Sequence, residues 1–160
     1  MSLATAAFSQ TFRVRWSETD AQGVVFNARY LDYADIAITE YWRAVGFRAL
    51  YPDEPFECHV ARATVNYRKP IKPDEMITVT AHTVATGRTS MTQMVHIYGA
   101  GGDDDLRAEV ELVSVHVDLA THKPTPLPAW MADLLTAFDK RWAQKSPEGQ
   151  RPSGLSKEVR

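Results

Sequence analysis

The sequence contains a single cysteine, Cys58, among 160 residues. An internal disulfide framework is therefore excluded, and such cysteine usage is typical of a cytoplasmic protein. No apolar run approaches the roughly 20 residues that a membrane-spanning helix needs. The first residues, MSLATAAFSQ, lack the basic start and continuous apolar core of a signal peptide. We therefore predict a cytoplasmic protein without membrane insertion.

Neither sign of charge prevails in the composition. Eighteen Lys and Arg residues against twenty Asp and Glu residues leave a formal net charge of -2. Such a balance creates no broad field that would favour nucleic acid, so no nucleic-acid partner is expected.

Several common catalytic and metal-binding motifs are also missing. The chain has no Gly-x-Ser-x-Gly nucleophile elbow, and its GAGGDDD stretch lies between two predicted strands rather than opening a helix as a phosphate loop does. The five histidines show neither His-x-x-x-His nor paired-cysteine spacing, so we predict no metal site. His96 and His116 are expected to face each other on neighbouring strands as ordinary hydrogen-bonded residues.

One long helix is the clearest feature that the sequence does contain. From Ala28 to Val45 apolar residues recur at spacings of three and four, which predicts a helix about 27 Å long. Asn27 is expected to be its N-cap and Gly46 its C-cap. Before it, residues 8–16 alternate between apolar and polar, ending at Trp16, which predicts a strand.

The remaining chain has the period of strands and then of a short helix. Residues 46–57 are interpreted as a loop. Strands are predicted at 61–68, 76–85, 89–99 and 106–120, and a short amphipathic helix follows Pro128. The order predicts an α+β fold, in which a curled antiparallel sheet of about five strands wraps one long central helix. We expect one domain over residues 1–143 and a disordered tail over 144–160. Dimerisation would cover the exposed edge of such a sheet.

The segment ETDAQGVVFN before the long helix could carry chemistry. Asp20 lies in a loop that Gly23 allows to turn sharply, and the unpaired N–H groups of the helix start point back toward that loop. A carbonyl docked there would be polarised, and the carboxylate could activate water or attack the carbonyl carbon. Apolar walls would come from Trp16, Phe26 and Tyr30. The alternative is that Asp20 forms an Asx-turn and Asn27 simply caps the helix.

These residues resemble a known family. The segment VRWSETDAQGVVFNARYLDYAD is similar to the signature of the 4-hydroxybenzoyl-CoA thioesterase family, with Trp16, Asp20, Gly23 and Tyr30 at matching positions. The later VNYRKPIKPDEMITV is similar to the second signature of that family. The resemblance spans about residues 8–120 and implies a hot-dog fold, to which the amphipathic pattern after Pro128 adds a short C-terminal helix.

The resemblance also implies a function, the hydrolysis of an acyl-CoA or aroyl-CoA thioester. Asp20 would be the nucleophile or general base, and the backbone N–H of Asn27 would bind the oxyanion. Arg88, Thr89 and Ser90 would approach the CoA chain. Lys69 and Lys72 are interpreted as solvated, with phosphate binding as the alternative.

Two further implications concern cofactors and assembly. CoA would be part of the substrate and no separate cofactor is expected, whereas a homodimer or homotetramer is implied because the family builds its site where subunits meet. The chain lacks the histidine that some family members carry at the position of Asn27, so catalysis would depend on Asp20 and the helix start. Two alternatives stay open, a hydratase or dehydratase acting on acyl thioesters and a non-catalytic acyl-CoA binding protein.

Overall fold

A computed structural model describes residues 2–53 and 56–143, so the predicted tail at 144–160 lies outside the described residues. The helices and strands, in chain order, are β1 (Ser9–Arg13), α1 (Arg29–Val45), α2 (Phe47–Leu50), β2 (Cys58–Tyr67), β3 (Met76–Thr86), β4 (Ser90–Tyr98), β5 (Leu106–His116) and α3 (Ala129–Ala143). Short 3-10 turns occur at Leu3–Thr5, Trp16–Glu18 and Gly102–Asp104. The predicted order of elements and the α+β class are confirmed.

The strands form one antiparallel sheet in the order β1-β3-β4-β5-β2. Cys58 pairs with His116 at one end of β2, and Tyr67 pairs with Ala108 at the other. We refer to these as the Cys58 end and the Tyr67 end of the sheet. The β3–β4 turn lies at the Cys58 end, whereas β1 leaves the sheet at the Tyr67 end, where Arg13 pairs with Met76.

Helix α1 packs across one face of the sheet. Its buried positions recur at helical spacing and are Tyr30, Tyr33, Ala34, Ala37, Tyr41 and Val45. They meet the inward residues of alternating strands, among them Ile77, Val79, Val95, Ile97 and Val110. Full burial of each large side chain contributes roughly 1.5–3 kcal/mol, so this interface forms the core. The helix ends at Gly46, whose φ of 76° and N–H bond to the Trp42 carbonyl confirm the predicted C-cap.

The predicted start of α1 is wrong in one detail. The N-cap position is Ala28, the helix begins at Arg29, and no side chain caps it. The Asn27 carbonyl instead accepts a hydrogen bond from the Tyr67 hydroxyl at 2.9 Å and from the Tyr30 N–H at 3.4 Å. Asn27 therefore contributes its backbone carbonyl, and not a side-chain cap, to the start of α1.

Three other local predictions also need correction. β1 ends at Arg13, and Trp16 opens a 3-10 turn in which the Glu18 carboxylate accepts the Arg15 N–H at 2.7 Å. The segment after Gly46 holds α2 rather than only loop. His96 pairs with Glu109 in the sheet and His116 with Cys58, so the two histidines do not face each other.

No helix within the described ranges is long and apolar enough to cross a membrane.

Candidate active site

The loop before α1 is a small closed turn. Thr19 and Val25 form an antiparallel bridge, and inside it the Asp20 N–H donates to the Val24 carbonyl at 2.9 Å. The Gly23 N–H donates to the Asp20 carbonyl at 3.0 Å, and Gly23 has a φ of 73°. A left-handed backbone at this point favours glycine and closes the turn around Asp20.

The Asp20 carboxylate has one bonded oxygen and one free oxygen. Oδ1 accepts the Gln22 N–H at 2.8 Å, which is the Asx-turn considered as the alternative from the sequence. Oδ2 accepts no hydrogen bond from any residue that the structure describes. The turn therefore orients the half-buried carboxylate and leaves one oxygen available to a bound molecule.

Three contacts hold this loop against the core. Val25 is 3% exposed, and its N–H donates to the Ile71 carbonyl at 2.8 Å. The Phe26 N–H donates to the Glu18 carbonyl at 2.9 Å. The Glu18 carboxylate accepts the Tyr33 hydroxyl at 2.9 Å, and burial, followed by this bond, raises the pKa of Tyr33.

The start of α1 leaves two backbone donors unused. The N–H groups of Arg29, Tyr30 and Leu31 each donate to the carbonyl three residues earlier, at 2.9, 3.4 and 3.1 Å. Across the described residues, the N–H groups of Asn27 and Ala28 donate to no acceptor. They lie at the positive end of the helix dipole, where an anionic or polarised oxygen is stabilised.

The predicted aromatic walls differ in their exposure. The side chain of Trp16 is 73% exposed and that of Phe26 is 48% exposed, so within one chain they do not form walls around Asp20. Tyr30 is 3% exposed and meets the Tyr67 ring edge-on at 4.9 Å, and burial raises its pKa. Only Tyr30 is a buried wall beside the loop.

The other predicted binding residues lie elsewhere. Arg88 and Thr89 lie in the β3–β4 turn and Ser90 begins β4. All three are at the Cys58 end, one strand length, about 33 Å, from the end where β1 leads toward Asp20. One chain therefore does not bring them to Asp20. Lys69 contacts the Asp105 carboxylate at 3.3 Å, which agrees with its interpretation as a surface charge.

Arg107 is a supporting residue that the sequence reasoning missed. Its guanidinium donates to both Asp105 oxygens at 2.8 and 2.9 Å, to Glu75 at 2.9 Å and to the Pro70 carbonyl at 2.6 Å. The bond from Arg107 is the main reason that the pKa of Asp105 is lowered to about 2. Pro70 precedes Ile71, which accepts the Val25 N–H, so Arg107 braces the strand-connecting segment behind the Asp20 loop.

A cavity of about 700 Å³ is the second main feature, and the sequence reasoning did not predict it. It lies at the Cys58 end, between the second half of α1, α2 and the inner face of β2, β4 and β5. Its apolar lining includes Ile38, Trp42, Phe47, Phe56 and Val60, and its polar lining includes Thr39, Arg43, Arg48, Gln93 and Ser114. Val60, on the edge strand, is 59% exposed, so the cavity is open along β2.

The described residues hold no group of three or more His, Cys, Asp or Glu side chains arranged for a metal ion. The expected absence of a metal site stays a prediction.

Comparisons with known proteins identify the family of the chain. The profile of the thioesterase-like superfamily matches residues 14–135. The acyl-CoA thioester hydrolase YbgC of Escherichia coli is 32% identical over 126 residues, which are 78% of this chain and 92% of that protein. This confirms the predicted thioesterase family.

Solved structures share the fold. A thioesterase from Thermus thermophilus, crystallised with coenzyme A and Zn, aligns with a TM-score of 0.73 and 24% identity over 87% of this chain and 99% of its own. A DHNA-CoA thioesterase from Staphylococcus aureus aligns with a TM-score of 0.70 and 24% identity over 84% and 90%. The predicted hot-dog fold is confirmed, and with these matches the chain belongs to the thioesterase-like superfamily.

Proposed function

We propose that this thioester hydrolase cleaves acyl-CoA thioesters to a free acid and CoA at the Asp20 loop. The observation that carries the proposal is the free Oδ2 of Asp20 in the loop that leads to the unused N–H of Asn27 at the helix start. The relative from Escherichia coli, which carries the name of an acyl-CoA thioester hydrolase, supports the substrate class.

The chemistry needs no group beyond these. The thioester carbonyl oxygen accepts the Asn27 N–H, and the helix dipole stabilises the negative charge that develops on it. As a general base, Asp20 takes a proton from water while the water oxygen adds to the carbonyl carbon. The C–S bond then breaks, and CoA leaves as the thiolate and takes up the proton. As a nucleophile, Asp20 would instead form a mixed anhydride that water hydrolyses. CoA enters as part of the substrate, and we propose no separate cofactor.

The working unit that we propose is a homodimer, alone or within a tetramer, formed by β2. This strand is at the edge of the sheet, and all of its residues are exposed apart from the half-buried Cys58 and Val65. Antiparallel pairing of two β2 strands would place the Tyr67 end of one chain beside the Cys58 end of the other. The Asp20 loop of one subunit would then face the cavity and the Arg88–Ser90 turn of its partner.

The test compares the wild-type protein with Asp20→Asn. Thiol release would be followed for benzoyl, hydroxybenzoyl, short-chain and long-chain acyl-CoA esters. We expect Asp20→Asn to lose about a hundredfold or more in kcat while its melting temperature changes little. Asp32→Asn is the matched control, because Asp32 is exposed in the first turn of α1 and, among the described residues, its carboxylate bonds only to Arg29, at 2.8 Å.

Other outcomes would contradict the proposal in different ways. Equal rates for wild type and Asp20→Asn would remove Asp20 from the chemistry. Binding of CoA esters without thiol release would indicate a binding protein, and water addition to an enoyl-CoA would indicate a hydratase.

A further inference from the structure

Gln93 is a buried polar side chain at the cavity described above. It lies on β4 between Met91 and Val95, is 1% exposed and lines the cavity. Its Nε2 donates to no acceptor among the residues that the structure describes. Leaving a buried amide donor unbonded is costly, so a group that can accept from it is expected to bind there.

The surroundings of Gln93 define what that group can be. Trp42, Phe47 and Phe56 form an aromatic cluster with ring centroids 5.3 to 5.6 Å apart. Ser114, 7% exposed on β5, also lines the cavity. The cavity therefore has aromatic walls and a small polar floor formed by Gln93 and Ser114.

The other buried atoms without partners are not in this position. Thr80, His82 and His96 occupy the strand positions that point to the opposite face of the sheet, as the alternation with inward Val79, Ala81 and Val95 indicates. Gln10, whose Oε1 is also buried without a partner, lies on β1 and does not line the cavity. Among these unpaired groups of the described residues, Gln93 is the one that lines the cavity.

We propose that Gln93 selects acyl groups that carry a hydroxyl, by hydrogen bonding that hydroxyl at the cavity floor. A hydroxyl suits a side-chain amide, because it can accept from Nε2 and donate to Oε1. The thioester carbonyl is held at the mouth by the partner's Asp20 loop, and the acyl group extends inward between the aromatic walls. This inference rests on the proposed function and adds the substrate class to it.

The experiment measures selectivity between esters that differ by one hydroxyl. The pairs are benzoyl-CoA against the 2-, 3- and 4-hydroxybenzoyl esters, and butyryl-CoA against 3-hydroxybutyryl-CoA. We expect wild type to prefer the hydroxylated member of at least one pair by about tenfold or more in kcat/KM. Gln93→Met keeps the volume and removes the amide, so this ratio should fall to near one.

Gln10→Met is the matched control. It makes the same substitution at a half-buried glutamine whose Oε1 is buried and unpaired among the described residues and which does not line the cavity, so it should leave the wild-type ratio unchanged. Melting temperatures of both variants check that they fold. Unchanged selectivity in Gln93→Met, or the absence of a preference in wild type, would overturn the inference.

A binding measurement separates this inference from the hydrolysis proposal. CoA thioethers of phenacyl and hydroxyphenacyl groups have no thioester bond to cleave, so their affinities do not depend on turnover. Calorimetry should show tighter binding of one hydroxylated thioether to wild type and to Gln10→Met but not to Gln93→Met. If Gln93→Met loses the binding preference and wild type releases no thiol, the selectivity role of Gln93 is supported and the hydrolysis proposal is refuted. If wild type releases thiol but binds both thioethers equally, hydrolysis is supported and the selectivity role of Gln93 is refuted.

Discussion

At the scale of single residues, backbone conformation shapes the candidate site as much as side-chain chemistry. Gly23 adopts a φ of 73°, and nothing lies within 4 Å of where its Cβ would be. Its requirement for glycine is therefore conformational rather than steric. The hydrogen bond from the Gly23 N–H to the Asp20 carbonyl closes the turn and so positions the Asp20 carboxylate.

Gly23→Ala should lower both stability and activity. A non-glycine residue in left-handed backbone costs about 1–2 kcal/mol, which should reduce the melting temperature, and relaxation of the turn should misplace Asp20 and lower kcat. Gly102→Ala is the control, because Gly102 also has a positive φ, of 68°, and its backbone hydrogen bonds join it to Gly99 and Asp105 rather than to the Asp20 loop. It should lose similar stability and keep wild-type kcat. Equal kcat values for Gly23→Ala and Gly102→Ala would show that the turn does not position Asp20.

At the scale of elements, one half-buried acid, Asp139, links α3 to the core. The Asp139 carboxylate accepts the Thr83 N–H at 3.1 Å, and both of its oxygens lie 3.2 Å from the Tyr41 hydroxyl. The three residues come from α3, β3 and α1. Burial raises the pKa of Asp139 above its ordinary value, since the ionised form is the one that desolvation penalises.

This raised pKa predicts a pH dependence with a definite sign. The folded protein binds the Asp139 proton more tightly than the unfolded chain, so its contribution to stability is complete below the unfolded pKa. It is lost as pH rises through the folded pKa. Asp139→Asn cannot ionise, so its melting temperature relative to wild type should rise as the pH is raised from 4 to 8.

The measurement is a series of thermal unfolding curves over that pH range. Asp133→Asn, an exposed residue of the same helix, is the control and should show no comparable trend. A difference between Asp139→Asn and wild type that stays flat or falls with pH would contradict the assignment.

At the scale of the whole molecule, β2 is an edge strand of the sheet, and we propose that a second chain pairs with it to complete the candidate site. The cavity, the Arg88–Ser90 turn and the Asp20 loop lie at two ends of the same sheet, and one chain does not join them. In the proposed dimer, pairing of two chains through β2 would join these parts twice, by symmetry. Assembly and activity are therefore expected to be lost together.

Light scattering should give wild type a mass of at least twice the 18.0 kDa of one chain. Ala61→Pro should reduce the mass toward that of a monomer and lower thiol release. Ala61 is skipped in the pairing of β2 with β5, so proline there spares the internal ladder while obstructing the outer edge.

Val84→Pro is the matched control, because Val84 is exposed and is likewise skipped in the pairing of β3 with β4. It should keep the wild-type mass and rate. A monomeric Ala61→Pro protein with full activity would show that the site is complete in one chain.

The sequence by itself determined the features that depend on neighbours along the chain. The body of α1 follows from apolar spacing, and its end at Gly46 from glycine's tolerance of left-handed backbone. The strands follow from alternation, and the turn around Asp20 from its aspartate and glycine. All of these features depend on interactions between residues close together in the chain, which is why the residue pattern was enough to predict them.

Only the tertiary structure decided which distant residues meet. The Tyr67 hydroxyl on β2 donates to the Asn27 carbonyl just before α1. Arg107 donates to Glu75 and to the Pro70 carbonyl, both more than thirty residues away in the chain. Gln93 reads in the sequence as one polar residue of a strand, and only the packing of α1, α2 and β2 around it reveals a cavity. Sheet register and helix packing place these side chains, and neither is encoded in local spacing, because each depends on chain segments that fold back from far along the sequence.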